Sequence, residues 1–80
     1  MAVKIVEITK PEELASIIFQ QRKFSKLSRN QLAIIAGVGR TVLFDIEHGK
    51  TTYRIDTLIK ILNVLNLRLC LDGVVSGEEK

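Results

Sequence analysis

An 80-residue chain of 9.0 kDa has room for one compact domain and excludes two independent cores. With 46% hydrophobic residues and a single proline it is too apolar and too unbroken for a disordered chain, and its core is thin enough that a second subunit is an expected source of stability. The net charge is only +3, but residues 22–54 carry seven basic side chains against two acidic ones, a local +5 that leaves −2 for the remainder and marks the middle third as the place to meet a polyanion.

The lone cysteine cannot form an internal disulfide. The sequence shows neither a basic-then-apolar leader nor an 18-residue apolar span, so secretion and membrane insertion are not expected and the cytoplasm is the expected compartment.

Residues 3–8 (VKIVEI) are rich in β-branched side chains and stop before Pro11, which predicts a short strand. Thr9 with Glu12 three residues on forms a capping-box pattern, and Pro11 suits a first helical turn. A first helix therefore begins at Pro11 and runs to about Lys26, with Leu14, Ile17, Ile18 and Phe24 as its expected buried stripe. Ser28 and Gln31 form a second box opening a helix from Arg29 to Ala36, expected to bury Leu32, Ala33, Ile35 and Ala36.

Gly37 to Gly39 leave only a three-residue turn, with Gly37 free to take the left-handed conformation that closes a helix. Arg40 to His48 then forms a short third helix with Leu43 and Ile46 inward, ending at Gly49. Ile55, Leu58, Ile59, Leu62 and Leu65 give the clearest amphipathic pattern, a fourth helix that Asn66 closes. Residues 67–72 (LRLCLD) alternate apolar and polar strictly, the mark of a strand with one buried face, and 74–80 read as a frayed tail.

The joint between the second and third helices narrows the reading. Ala33 is small where the two helices must cross closely, Gly37 permits the sharp turn, and Val38, Leu43 and Ile46 fill the angle. The segment from Leu27 to Lys50 (LSRNQLAIIAGVGRTVLFDIEHGK) resembles the helix-turn-helix of Xre and Cro/lambda-repressor-like regulators, within a likeness spanning residues 11–66. Leu32-Ala33, Gly37-Val38 and the run Ile46 to Lys50 match the family pattern, while Gly39 and Phe44 stand where small polar or charged residues are more usual.

That resemblance implies a mainly α, four-helix lambda-repressor-like domain whose third helix lies in the major groove of double-stranded DNA. Arg40, Thr41 and Asp45 match base-reading positions: Arg40 suits guanine O6 and N7, Thr41 a thymine methyl, Asp45 cytosine N4. Ser28 and Arg29 match the family's phosphate-contacting pair, and Arg22 and Glu47 its buried ion pair, which is structural. Lys50, Thr51, Thr52, Tyr53 and Arg54 are placed to grip the DNA backbone from the other side. Phe44 falls on the outer side of the third helix and is counted with Arg40, Thr41 and Asp45 as a candidate base-reading residue, open to a sugar or thymine methyl, to a partner, or to packing beneath the loop of Tyr53 and Arg54.

A strand cannot stand alone, because its backbone donors and acceptors need a ladder. Residues 67–72 must pair with 3–8 of the same chain, with a second subunit, or with both in one small sheet, placing Leu67, Leu69 and Leu71 on a shared core. A two-fold dimer would set its recognition helices about one DNA turn apart, roughly 34 Å, matching a palindromic operator.

The helical core followed by residues 66–72 (NLRLCLD) is similar to HipB-type antitoxins, a resemblance that implies autoregulation of an operon and a HipA-like kinase toxin as partner. Two other readings stay open: a stand-alone Xre-type regulator of a mobile element, and a protein-interaction module docking through its terminal strand with weak DNA binding. No enzyme, cofactor or metal is expected, since His48 and Cys70 are each single and neither a ligand set nor a nucleophile beside a base can be assembled from them.

Overall fold

A computed structural model of the protein describes residues 5–71 and Gly73. Four helices follow in chain order: α1 (Pro11–Phe24), α2 (Arg29–Ala36), α3 (Arg40–Glu47) and α4 (Ile55–Val64). The class is mainly α, and the helix boundaries fall within two residues of those the periodicity predicts.

The ends explain why the chain breaks where it does. Ser28 Oγ accepts from Gln31 N at 3.0 Å while Gln31 Oε1 accepts from Ser28 N at 2.8 Å, the expected reciprocal box. At α1 the partner is Glu13 rather than Glu12: its Oε1 accepts from the amides of Thr9 and Lys10 at 2.7 and 3.3 Å, and Lys10 is the N-cap.

All four helices close with one device. A residue of positive φ follows each helix, namely Lys26, Gly37, Gly49 and Asn66. The amide one residue further on bonds back five residues: Leu27 to Arg22, Val38 to Ala33, Lys50 to Asp45 and Leu67 to Leu62, at 2.9–3.2 Å. Gly37 is needed for its φ of 72° and not for space, because a Cβ there would meet nothing within 4 Å.

The core is one cluster to which every helix contributes. Ile18 from α1, Leu32 and Ala33 from α2, Leu43 and Ile46 from α3, and Leu58, Ile61 and Leu62 from α4 are buried, with Leu65 just beyond α4. Each large aliphatic side chain sealed this way contributes about 1.5–3 kcal/mol. Ala33, 1% exposed, lies in this cluster. Gln21 Nε2 donates to the Leu65 carbonyl at 3.2 Å, tying α1 to the end of α4.

Four expected burials are corrected. Ile35 is exposed, together with Ile34, because α2 spends its inward face on Leu32, Ala33 and Ala36. Phe24 is also exposed: the buried stripe of α1 runs through Ile18 to Arg22 at i+4, and Phe24 winds to the opposite side. In α4 the apolar pattern holds two overlapping stripes, and packing selects Leu58, Ile61, Leu62 and Leu65, leaving Ile55 and Ile59 outside.

Neither expected strand is formed within the described part of this single chain. Residues 5–8 and 67–71 carry no regular secondary structure and no ladder, Leu67 rests partly on the core, and Leu69 and Leu71 are exposed. Pairing of the two segments with each other is not made among the described residues. The remaining strand positions 3, 4 and 72, and the expected tail 74–80, lie outside the described residues.

Candidate nucleic-acid interface

The α2–turn–α3 unit is held by two requirements. The left-handed Gly37 turns the chain, and Leu43 and Ile46 sink into the core, which fixes the opposite face of α3 outward. Arg40, Thr41 and Phe44 stand exposed on that helix, with Asp45 partly buried. Spacings of one, four and five residues put 40, 41, 44 and 45 on neighbouring rows of one face. Asp45 is not free: Lys50 Nζ lies 3.5 Å from its Oδ2, so its charge is partly balanced.

At the start of α2, Ser28 has spent its Oγ lone pair and its amide on Gln31, but its hydroxyl hydrogen remains free to donate. Among the described residues the amides of Arg29 and Asn30 have no backbone partner, being the first of the helix. Arg22, Lys23, Lys26 and Arg29 line a shallow concavity of about 540 Å³ beside them. This is where the +5 of the middle segment is most concentrated.

The ion pair that the resemblance implies is present. Arg22 donates to both carboxylate oxygens of Glu47, whose side chain is wholly buried, and its Nη1 reaches the Leu27 carbonyl at 3.1 Å. A second guanidinium went unforeseen. Arg29 Nε donates to Glu47 Oε1 at 3.1 Å and the same guanidinium lies over the Phe44 ring, 5.1 Å from its centroid. Phe44 in turn stacks on His48 with ring centroids 3.9 Å apart. The i, i+4 spacing of Phe44 and His48 was visible in the sequence, whereas the approach of Arg29 was not.

Past α3 the candidate phosphate contacts divide. Lys50, Thr51, Thr52 and Arg54 are exposed, and Arg54 pairs with Asp56 at 3.2 Å across the start of α4. Tyr53 packs partly on the core, and that burial pushes its phenol above the usual value, so its hydroxyl stays a protonated donor at neutral pH. Among the described residues no group of three His, Cys, Asp or Glu is placed to hold a metal, and Cys70 is exposed. No helix of the described residues is long and apolar enough to cross a membrane.

Comparison with known proteins gives a consistent picture. A family model described as helix-turn-helix matches residues 18–71. A protein of Sinorhizobium fredii described as an uncharacterized HTH-type transcriptional regulator, y4mF, is 30% identical over 73 residues, covering 91% of this chain and 93% of its own. Among solved structures, a HipA-HipB-O2-O3 complex superposes with a TM-score of 0.78 at 22% identity, over 89% of this chain and 100% of the matched one. The restriction-modification controller protein C.AhdI from Aeromonas hydrophila gives a TM-score of 0.66 at 19% identity, over 72% and 88%.

Proposed function

The chain belongs to the helix-turn-helix family of Xre-type regulators, and on that premise we propose that it is a homodimeric, sequence-specific DNA-binding repressor, the antitoxin of a HipA/HipB-like pair acting on its own operon. The observation that carries the DNA-binding reading is the solvent-facing first turn of α3. Arg40 and Thr41 stand free there while Leu43 and Ile46 lock the opposite face into the core.

In this reading the whole of 1–80 acts as one DNA-binding domain, with a helical core over 11–66 and the reading unit over 28–49. Arg40, Thr41 and Asp45 meet base edges in the major groove, with Phe44 beside them on the same face. Ser28 and Arg29 at one end, and Lys50, Thr52, Tyr53 and Arg54 at the other, hold phosphates and set the register. Arg22, Glu47, Ala33 and Gly37 shape the unit without touching DNA.

The segment 67–72 is the dimerisation strand, pairing across the two-fold axis so that Leu67, Leu69 and Leu71 share a core. Exposure of Leu69 and Leu71 in the single chain supports this, since two leucines beside an unpaired backbone call for a cover. A HipA-like kinase as second partner is supported by the likeness to a HipB seen with HipA.

The test is a titration of a labelled duplex from the region upstream of the protein's own reading frame, against a shuffled duplex, at several salt concentrations. The expected result is preference for the authentic duplex and a log-log slope of about −0.9 for each phosphate neutralised. Equal affinity for both duplexes with no dependence on salt would remove the reading.

A further inference from the structure

Arg29 opens α2, yet its guanidinium is tied to the second half of α3. Nε donates to Glu47 Oε1, an oxygen that Arg22 Nη2 also reaches, at 3.0 Å. Two guanidiniums thus share one buried carboxylate, and the cluster keeps a net charge of +1. Arg22 has all three nitrogens engaged, on Glu47 and on the Leu27 carbonyl, and is buried. The surplus charge therefore faces solvent at Arg29, whose side chain is 34% exposed and whose Nη1 and Nη2 have no hydrogen-bond partner among the described residues. A planar fork with its inner nitrogen fixed and its two outer nitrogens open is the geometry that meets two oxygens of a phosphate together.

The ring beneath the fork is itself fixed. His48 stacks on Phe44 with an interplanar angle of 22°, and His48 Nδ1 donates to the Phe44 carbonyl at 2.7 Å. A carbonyl only accepts, so the proton is on Nδ1. Imidazole, phenyl ring, guanidinium and carboxylate form one continuous stack and bond chain from α3 to the first residue of α2.

We propose that Phe44, backed by His48, is a positioning residue that holds the Arg29 guanidinium in place for a DNA phosphate, and that it does not itself read a base. The proposal rests on the DNA-binding reading above. It makes the backbone grip of α2 depend on a side chain of the reading helix, so that α3 and the α2 phosphate site act as one rigid reader.

A double-mutant cycle on the full chain tests it, with a labelled mixed-sequence duplex and the upstream duplex as probes, read by anisotropy over a range of salt. Phe44→Leu should weaken both duplexes by the same factor, about two- to fivefold for loss of one exposed cation–π contact. Phe44→Tyr, which keeps the ring face, should restore parental affinity. In an Arg29→Ala background the Phe44→Leu change should have no further effect. An undiminished Phe44→Leu loss in that background, or a loss confined to one sequence, would show the ring touching DNA directly and overturn the proposal. Salt-insensitive, non-selective behaviour of the parent chain instead sinks the DNA-binding reading itself. Circular dichroism of each variant checks that the half-exposed ring is not needed for folding.

Discussion

Arg22 and Glu47, 25 residues apart in sequence, are joined by two parallel bonds of 2.7 Å (Nε to Oε2) and 3.0 Å (Nη2 to Oε1), with the carboxylate sealed from solvent. The pair ties α1 to the end of α3. Its Coulombic gain is offset by the cost of desolvating both charges, so its value is clearest when one member is removed and the other is left buried alone. Arg22→Ala should destabilise the fold by about 3–5 kcal/mol in urea denaturation. Glu47→Gln should do the same and also release Arg29, so it should weaken DNA more than its stability loss accounts for at temperatures where it is still folded. Unchanged stability in both variants would mean that water relieves the unpaired charge.

The four helices were legible because each carries local signals: the Ser28–Gln31 box, Gly37, Gly49 and Asn66 at closing positions, and apolar residues at helical spacing. What was not legible depends on which of two competing faces the tertiary packing selects. Ile34 and Ile35 are chemically equal to Ile18 and Ile61, and only the arrival of α3 and α4 decides that the former stay outside. Lys26 is a similar case: a lysine at φ 59° carries no sequence mark of a left-handed cap. In the site, the Arg22–Glu47 pair came with the family pattern, whereas the seat of Arg29 on Phe44 joins two helices through residues 15 apart whose approach no local spacing encodes.

The proposed roles of reading and gripping fall on two different arginines, Arg40 and Arg29. Arg40 is exposed in the first turn of α3, and the Arg29 fork faces outward from the start of α2. Arg40→Ala should relax preference at one base pair, with about 1–3 kcal/mol of discrimination lost there. Arg29→Ala should lower affinity for all duplexes alike and flatten the salt slope by about 0.9 per subunit. A panel of single-base operator variants titrated against both mutants checks this, and identical profiles would erase the division of roles.

Gly39 caps α3 without a side-chain acceptor, in extended backbone at φ −73°. A Cβ there would meet Val42 Cγ2 at 3.8 Å, an ordinary contact, so nothing in the fold requires glycine. Gly39→Ser offers the orphan amides of the first turn an acceptor and narrows the unfolded ensemble. Stabilisation of about 0.5–1 kcal/mol is expected, seen as a rise of a few degrees in Tm. A fall in Tm would show that the short turn after Gly37 needs the freedom of glycine.

Acid should loosen the start of α1 first. The backbone amide of Thr9 holds the Glu13 carboxyl below its usual value against the opposing effect of desolvation, and the Lys10 amide and the Thr9 hydroxyl lower it further. A lowered carboxylate favours the folded end at every pH above the ordinary glutamate value, and that advantage disappears as pH falls through the lowered one. A carbon-detected titration of Glu13 should therefore give a midpoint below that of the urea-unfolded chain. In parallel the Thr9 and Lys10 amide signals should shift, and Glu13→Gln should abolish those shifts. A midpoint equal in the two states would mean that these bonds are not kept in solution.

Leu69 and Leu71 bear on the subunit count. Both are exposed in the single chain, alternate with Arg68 and Cys70, and lie on backbone with no ladder among the described residues. If that segment pairs across a two-fold axis, burying two leucines from each subunit contributes several kcal/mol at about 1.5–3 kcal/mol a side chain. Charges placed there would have to be desolvated on association. Leu69→Lys with Leu71→Lys should then convert a dimer into a monomer in sedimentation velocity while leaving the helical circular dichroism unchanged, because neither residue belongs to the core cluster. The same variant should bind a palindromic duplex no better than a single half-site, since the register of two recognition helices about 34 Å apart exists only in the pair. A dimer that survives both lysines would place its interface elsewhere, with the exposed Ile34, Ile35, Ile55 and Ile59 as the next surface to substitute.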